Sequence, residues 1–113
     1  MSAITTHILD ISTGQPARGV FVTLERQSSE SWESTGQGVT DDDGRLRGLL
    51  APGVALLPGC YRLTFDTATY FAQQAVEGFY PQVVVAFIVS DAATHYHVPL
   101  LLSPFGYSTY RGS

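Results

Sequence analysis

The sequence predicts an all-β fold, a sandwich of two sheets built from about eight strands with one short helix. Short runs rich in Val, Ile, Thr, Phe and Tyr recur between turn-forming clusters. Within several of them apolar and polar side chains alternate with the period of a half-buried strand. Helical composition is convincing in a single stretch. At 113 residues the chain reads as one domain, residues 1–113, long enough for a single core. Its 44% apolar and 14% charged residues fit an ordered globular protein and exclude a disordered or coiled-coil one.

The first strand is read at Ala3 to Asp10, closed by the turn signal Ser12-Thr13-Gly14-Gln15-Pro16. The next runs from Gly19 to Arg26, where Val20, Val22 and Leu24 alternate with Phe21, Thr23 and Glu25. A weaker strand extends from Trp32 to about Thr40. Asp41-Asp42-Asp43-Gly44 is a tight turn, because Asp side chains bond nearby N–H groups and Gly admits positive φ. An EF-hand is not read there, since its spaced ligands and final Glu are absent. Short strands at Arg45 to Gly48 and Tyr61 to Phe65 follow. Thr67 to Val76 reads as the helix, with Thr67 as N-cap and Gly78 as its end. Gln82 to Ser90 is almost continuously apolar and predicts a strand buried on both faces or paired at an interface. His95 to Leu102 and Phe105 to about Arg111 complete the set. Pro99 cannot donate to a ladder, so it marks a bulge or an unpaired position.

A formal net charge of −4 leaves no basic stripe to replace phosphate counterions, which argues against nucleic acid. Every basic side chain apart from histidine is arginine, so Schiff-base chemistry is excluded. The lone Cys60 cannot form an internal disulfide and reads as a buried structural thiol. Met1 to His7 has no basic or apolar leader region, Arg111-Gly112-Ser113 is not a peroxisomal address, and no apolar run is long enough to span a membrane. A cytoplasmic location is the default expectation.

Three blocks carry a family resemblance. His95-Tyr96-His97-Val98-Pro99-Leu100-Leu101-Leu102-Ser103-Pro104-Phe105-Gly106-Tyr107-Ser108-Thr109-Tyr110-Arg111-Gly112-Ser113 closely resembles the C-terminal run of the hydroxyisourate hydrolases, whose terminal signature is Tyr-Arg-Gly-Ser. Thr6-His7-Ile8-Leu9-Asp10 with Gly14 and Pro16 resembles that family's opening strand and turn. Thr40, Asp43-Gly44-Arg45 and Gly48-Leu49 resemble its central block. The resemblance covers essentially the whole chain and implies the transthyretin-like, or prealbumin-like, β-sandwich. Transthyretin itself, a hormone carrier, shares the framework, so the function has to be argued from the site.

The resemblance implies that His7, Arg45 and His97 are catalytic, and these are the positions where the carrier differs from the enzyme. Strand parity bears on this separately. If Ile4 and Ile8 face the core, His7 faces away from it. His95, His97, Pro99 and Leu101 share one face of their strand, opposite Tyr96, Val98, Leu100 and Leu102. Ser108 and Tyr110 share a face of the last strand. Taken singly, His7 reads as a surface histidine, Arg45 as a solvated charge, and His95 with His97 as two metal ligands that His7 could complete. The resemblance implies no metal and no cofactor. It leaves His95 and Arg47 without a catalytic role. Ser108 lacks the Gly-x-Ser-x-Gly elbow of a nucleophile, so it is read as orienting water or substrate. The resemblance adds that Tyr110, Arg111, Gly112 and Ser113 close the cleft, with Ser113 offering a hydroxyl and the terminal carboxylate.

The implied reaction is hydrolysis of 5-hydroxyisourate to 2-oxo-4-hydroxy-4-carboxy-5-ureidoimidazoline in urate degradation. Histidine suits its proton transfers, and arginine, always charged and fork-shaped, suits the developing oxyanion. One of His7 and His97 is then the base and the other the acid or orienting donor. The implied assembly is a homotetramer, a dimer of dimers with sites at the dimer–dimer interface, and neither nucleic acid nor membrane is an expected partner. The alternatives are a non-catalytic small-ligand carrier on the same fold and an immunoglobulin-like module. The latter lacks the Cys…Trp…Cys pattern.

Overall fold

The computed structural model describes residues 3–113. Met1 and Ser2, part of the stretch read for a leader, lie outside the described residues. The elements are β1 (Ile4–Asp10), β2 (Gln15–Pro16), β3 (Phe21–Ser28), β4 (Ser31–Val39), β5 (Arg45–Leu46), β6 (Gly59–Phe65), α1 (Thr67–Gln73), β7 (Val83–Val89), β8 (Tyr96–Ser103) and β9 (Gly106–Thr109). One sheet has the order β2-β1-β8-β9, with β5 also paired to β1, and the other has the order β4-β3-β6-β7. β1 and β8 pair in parallel, whereas the other ladders are antiparallel. No described helix is long and apolar enough to cross a membrane.

The core lies between the sheets and follows strand parity. Ile4 and Ile8 from β1 and Leu100 and Leu102 from β8 meet Leu24, Leu63, Phe65 and Val83 from the opposite sheet, all at most 2% exposed. β7 is buried on one face only. Val83, Val85 and Val89 are buried, while Val84 and Ile88 are 42% and 73% exposed. Of the two readings of its apolar run, burial on both faces within one protomer is therefore excluded. Cys60 is half-buried, not buried, because Tyr61, Leu63 and Phe65 take the inward parity of β6 and leave Cys60 on the outer one.

The helix differs from its predicted span. Its N-cap is Asp66, whose carboxylate accepts from the Thr69 N–H at 3.2 Å, while Thr67 is fully buried and donates its hydroxyl to the Tyr80 carbonyl. It ends at Gln73 because Ala75 turns left-handed at φ 56°. The Val76 N–H returns to the Phe71 carbonyl at 3.0 Å and the Ala75 N–H to that of Ala72 at 3.1 Å, a Schellman closure. A second difference is β2, which arises where Ser12 to Pro16 was read only as a turn. Asp10 organises this reversal, accepting from the Ser12 N–H at 3.0 Å through its carboxylate and from the Gly14 N–H at 2.8 Å through its carbonyl.

Pro99 makes no bulge, since β8 keeps unbroken register with β1 through the His7↔Pro99 pair. The unpaired-position reading is the one observed. The β8–β9 ladder stops at Leu100↔Thr109 and returns only as an isolated bridge at His97↔Gly112. A proline has no N–H with which to continue that ladder. The chain after Thr109 therefore leaves the sheet edge before Gly112 rejoins it.

Candidate active site

Two adjacent rows of side chains cross the outer face of the sheet. In one, Arg45 pairs with His7 and His7 with Pro99; in the next, Thr5 pairs with His97 and His97 with Gly112. Residues directly opposite on neighbouring strands share a face, so these rows bring together groups far apart in sequence. The turn Asp41–Gly44 sets Arg45 in place. Gly44 adopts φ 73°, its N–H donates to the Asp41 carbonyl at 2.9 Å, and its own carbonyl accepts from the Ile8 N–H at 2.8 Å. The Asp41 carboxylate accepts from the Asp43 and Arg45 N–H groups, both at 2.9 Å. Those hydrogen bonds, led by the one from Arg45, hold its pKa below the ordinary carboxylate value, with smaller help from the Arg47 and Arg45 charges.

A cleft of about 420 Å³ opens over these rows, lined by Thr5, Thr6, Arg45, Arg47, His95, His97 and Ser113. Three of the sequence-derived site residues, Arg45, His97 and Ser113, thus share one wall. His7 stands in the adjacent row, half-buried and outside the lining, yet close enough for its charge to act on His97. The bridge at Gly112 carries Ser113 into the cleft: the Gly112 N–H donates to the His97 carbonyl at 2.8 Å. A Cβ at Gly112 would come within 2.5 Å of His97 Cδ2, so only glycine fits this approach.

The remaining predicted residues lie elsewhere in the protomer. Ser108 pairs with Leu101, four residues along β8 from His97, about 13 Å at the usual strand rise. Tyr110 and Arg111 line a second cavity of about 220 Å³, with Val85, Phe87, Tyr96 and His97 among its walls. The Arg111 guanidinium sits over the Tyr96 ring, 4.8 Å from its centroid, instead of pointing into the cleft.

His97 is the most perturbed group of the cleft. Burial lowers its pKa below 6.5, and the charges of His95, Arg45 and His7 push the same way, against a smaller hydrogen-bond effect at Thr5. A neutral imidazole is therefore favoured, able to accept a proton. Neither Arg45 nor Arg47 has an acidic ion-pair partner among the described residues, so a positive patch faces the cleft of a chain whose formal charge is −4. Such a patch suits planar carbonyl-rich or anionic ligands. No cluster of three His, Cys, Asp or Glu side chains with metal-binding spacing occurs among the described residues.

Sequence reasoning passed over Thr5. Its hydroxyl lies 2.8 Å from His97 Nδ1 and 2.9 Å from His95 Nε2. Its parity with His7 was a usable signal, but its pairing with His97 depends on the parallel β1–β8 ladder, which no local pattern announces.

The HIUase/Transthyretin family profile matches residues 4–112. A 5-hydroxyisourate hydrolase from Salmonella dublin is 48% identical over 110 residues, which are 97% of this chain and 80% of the relative. The solved 5-hydroxyisourate hydrolase of Klebsiella pneumoniae superposes with a TM-score of 0.84 at 39% identity, covering 99% of this chain and 100% of that one. Sea bream transthyretin, solved in complex with thyroxine, gives a TM-score of 0.90 at 31% identity over 97% of this chain and 94% of its own. The backbone fits both kinds of relative, and the side chains of the cleft must separate them. On its near-complete match to the profile and to these relatives, the chain belongs to the HIUase/Transthyretin family.

Proposed function

We propose that this chain is a hydrolase that opens 5-hydroxyisourate to 2-oxo-4-hydroxy-4-carboxy-5-ureidoimidazoline, with His97 and Arg45 as its principal catalytic groups. The observation that carries the reading is the shared wall of one cleft: a neutral-favoured imidazole, an unpaired guanidinium, and Ser113 delivered by the Gly112 bridge. His97 takes a proton from water as the water oxygen bonds to the ring carbonyl. Arg45 receives the oxyanion, the carbon–nitrogen bond breaks, and His97 returns its proton to the leaving nitrogen. His7, opposite Arg45, acts as orienting donor.

In the proposed homotetramer the outer sheet faces of two dimers oppose one another, and Ser108, Tyr110 and Arg111 contribute from that assembled surface. A non-catalytic carrier is the rival reading, favoured by the backbone match to transthyretin. Imidazoles and guanidinium groups in the cleft wall support chemistry over storage of an apolar ligand.

The test is the ultraviolet decay of 5-hydroxyisourate, generated in situ from urate, with and without the protein. Decay well above the spontaneous rate is expected, with His97→Ala and Arg45→Glu each slower by about 10²–10⁴-fold and still folded. Unaccelerated decay from the folded protein would move the carrier reading to the front.

A further inference from the structure

Opening a cyclic amide to a carboxylate releases one proton per turnover at neutral pH, and that proton has to leave the cleft. The geometry behind His97 offers a route. Thr5 is 8% exposed, and its hydroxyl has one proton to donate and two lone pairs to accept. Its two imidazole neighbours are His97 Nδ1 at 2.8 Å and His95 Nε2 at 2.9 Å. The two rings stand 6.4 Å apart between centroids, too far to bond directly. His97 Nε2 has no hydrogen-bond partner among the described residues, which leaves it for substrate or water. His95 is exposed to solvent.

We propose that Thr5 and His95 form a proton relay behind His97, fixing the tautomer His97 presents to the cleft and passing the released proton to solvent. This rests on the hydrolase reading for its role in turnover, though not for its existence. With one hydroxyl proton between two ring nitrogens, the tautomers are linked. When His97 Nδ1–H donates to Thr5 Oγ1, the Thr5 O–H donates to His95 Nε2, and His97 Nε2 is free to act as base. After His97 has passed the proton of water to the leaving nitrogen, it accepts the proton of the product acid at Nε2, its Nδ1 proton moves to Oγ1 and the Oγ1 proton moves to His95 Nε2. His97 is then neutral, and exchange of ring protons with water restores the starting tautomers. His95 carries the charge and loses its Nδ1 proton to water. The charged and titratable groups around His97 are His7 on β1, Arg45 and Arg47 on and after β5, and His95 beside β8. The charges of His95, Arg45 and His7 disfavour a lasting imidazolium at His97, which drives the proton outward.

Thr5 and His95 act through His97 and are positioning residues, so the test includes more than rate. Thr5→Val keeps the shape and removes the hydroxyl, Thr5→Ser restores it, and His95→Gln alters only an exposed end. Ring nitrogen-15 shifts of the wild-type protein are expected to show His97 protonated at Nδ1 together with His95 accepting at Nε2, with this coupling of tautomers lost in Thr5→Val and kept in Thr5→Ser. Turnover is expected to fall about 10- to 100-fold in Thr5→Val with KM within about twofold, and to recover to within about threefold of wild type in Thr5→Ser. His95→Gln should lose turnover that imidazole buffer restores. Unchanged His97 tautomer and coupling in Thr5→Val overturn the relay. If wild-type protein fails to hydrolyse 5-hydroxyisourate, the nitrogen shifts still decide the relay by themselves, and should Thr5→Val not fold, the same shifts in Thr5→Ala, which also lacks the hydroxyl, decide it.

Discussion

At Gly112, a side chain as small as alanine would push against His97, because the new Cβ would lie 2.5 Å from its ring carbon. Gly112→Ala is therefore expected to displace either the tail or the imidazole. Turnover should fall about 10- to 100-fold, as for angstrom-scale misplacement of a reacting group, with little change in melting temperature. Wild-type turnover in this variant would show that the tail does not position the cleft. His97 also sets a pH dependence. Its folded pKa is depressed below 6.5, so the unfolded chain binds the proton first. Stability tied to neutral His97 is complete above about pH 6.5 and is lost as pH falls through the folded value. The acid limb of kcat/KM should have its midpoint below 6.5, and a midpoint above it would assign the base to another group. The family motifs single out Arg45 and His97 in the sequence, parity puts His97 on the outer face, and both line the cleft. Thr5 was not, since a threonine beside two histidines ninety residues later has no local mark.

Elements were read well where local chemistry dictates them and less well where tertiary contacts decide. The Asp41–Gly44 turn followed from residue type alone. The end of α1 did not, because Ala and Gln favour helix through Gln74 while the chain must turn to bring Gly78 against Phe71. That turn leaves Ala75 at φ 56°, a left-handed position where glycine is the usual choice. Ala75→Gly is expected to stabilise the protein by about 0.5–1 kcal/mol and to raise the melting midpoint by roughly 3–5 °C in calorimetry. A lower midpoint would mean that the alanine methyl group packs to advantage. Asp10 ties the first strand to the same helix: its carboxylate accepts from the Tyr70 hydroxyl at 2.8 Å, and burial together with that carboxylate raises the tyrosine pKa.

Among the terminal strands of the two described sheets are β7 on one and β9 on the other. The apolar run of β7 predicts a strand buried on both faces or paired at an interface, and one of its faces is exposed in the protomer. Ile88 at 73%, Phe105 at 71% and Phe79 at 69% exposure lie on or near these edges, an apolar display that soluble proteins ordinarily pair or shield. Light scattering of the wild-type protein is expected to give a tetramer, and Ile88→Asp, which changes no core contact, a smaller species. A wild-type monomer would remove the proposed assembly. The overall architecture was legible because alternation, turns and strand lengths agree along the chain. The strand order was not, for parallel pairing of β1 with β8 is a choice among topologies that periodicity leaves equal.

That pairing bears on how the protein is made. Thr5 and His97 are 92 positions apart, and the ladder between their strands joins the start of the chain to its last fifth. During synthesis β1 emerges well before β8, and the hairpins of the other sheet have time to close before the two can pair. Contacts of such long sequence separation form late, since loop closure precedes their reward. The cleft therefore forms late, because Thr5 and His97 meet only once β8 has joined β1.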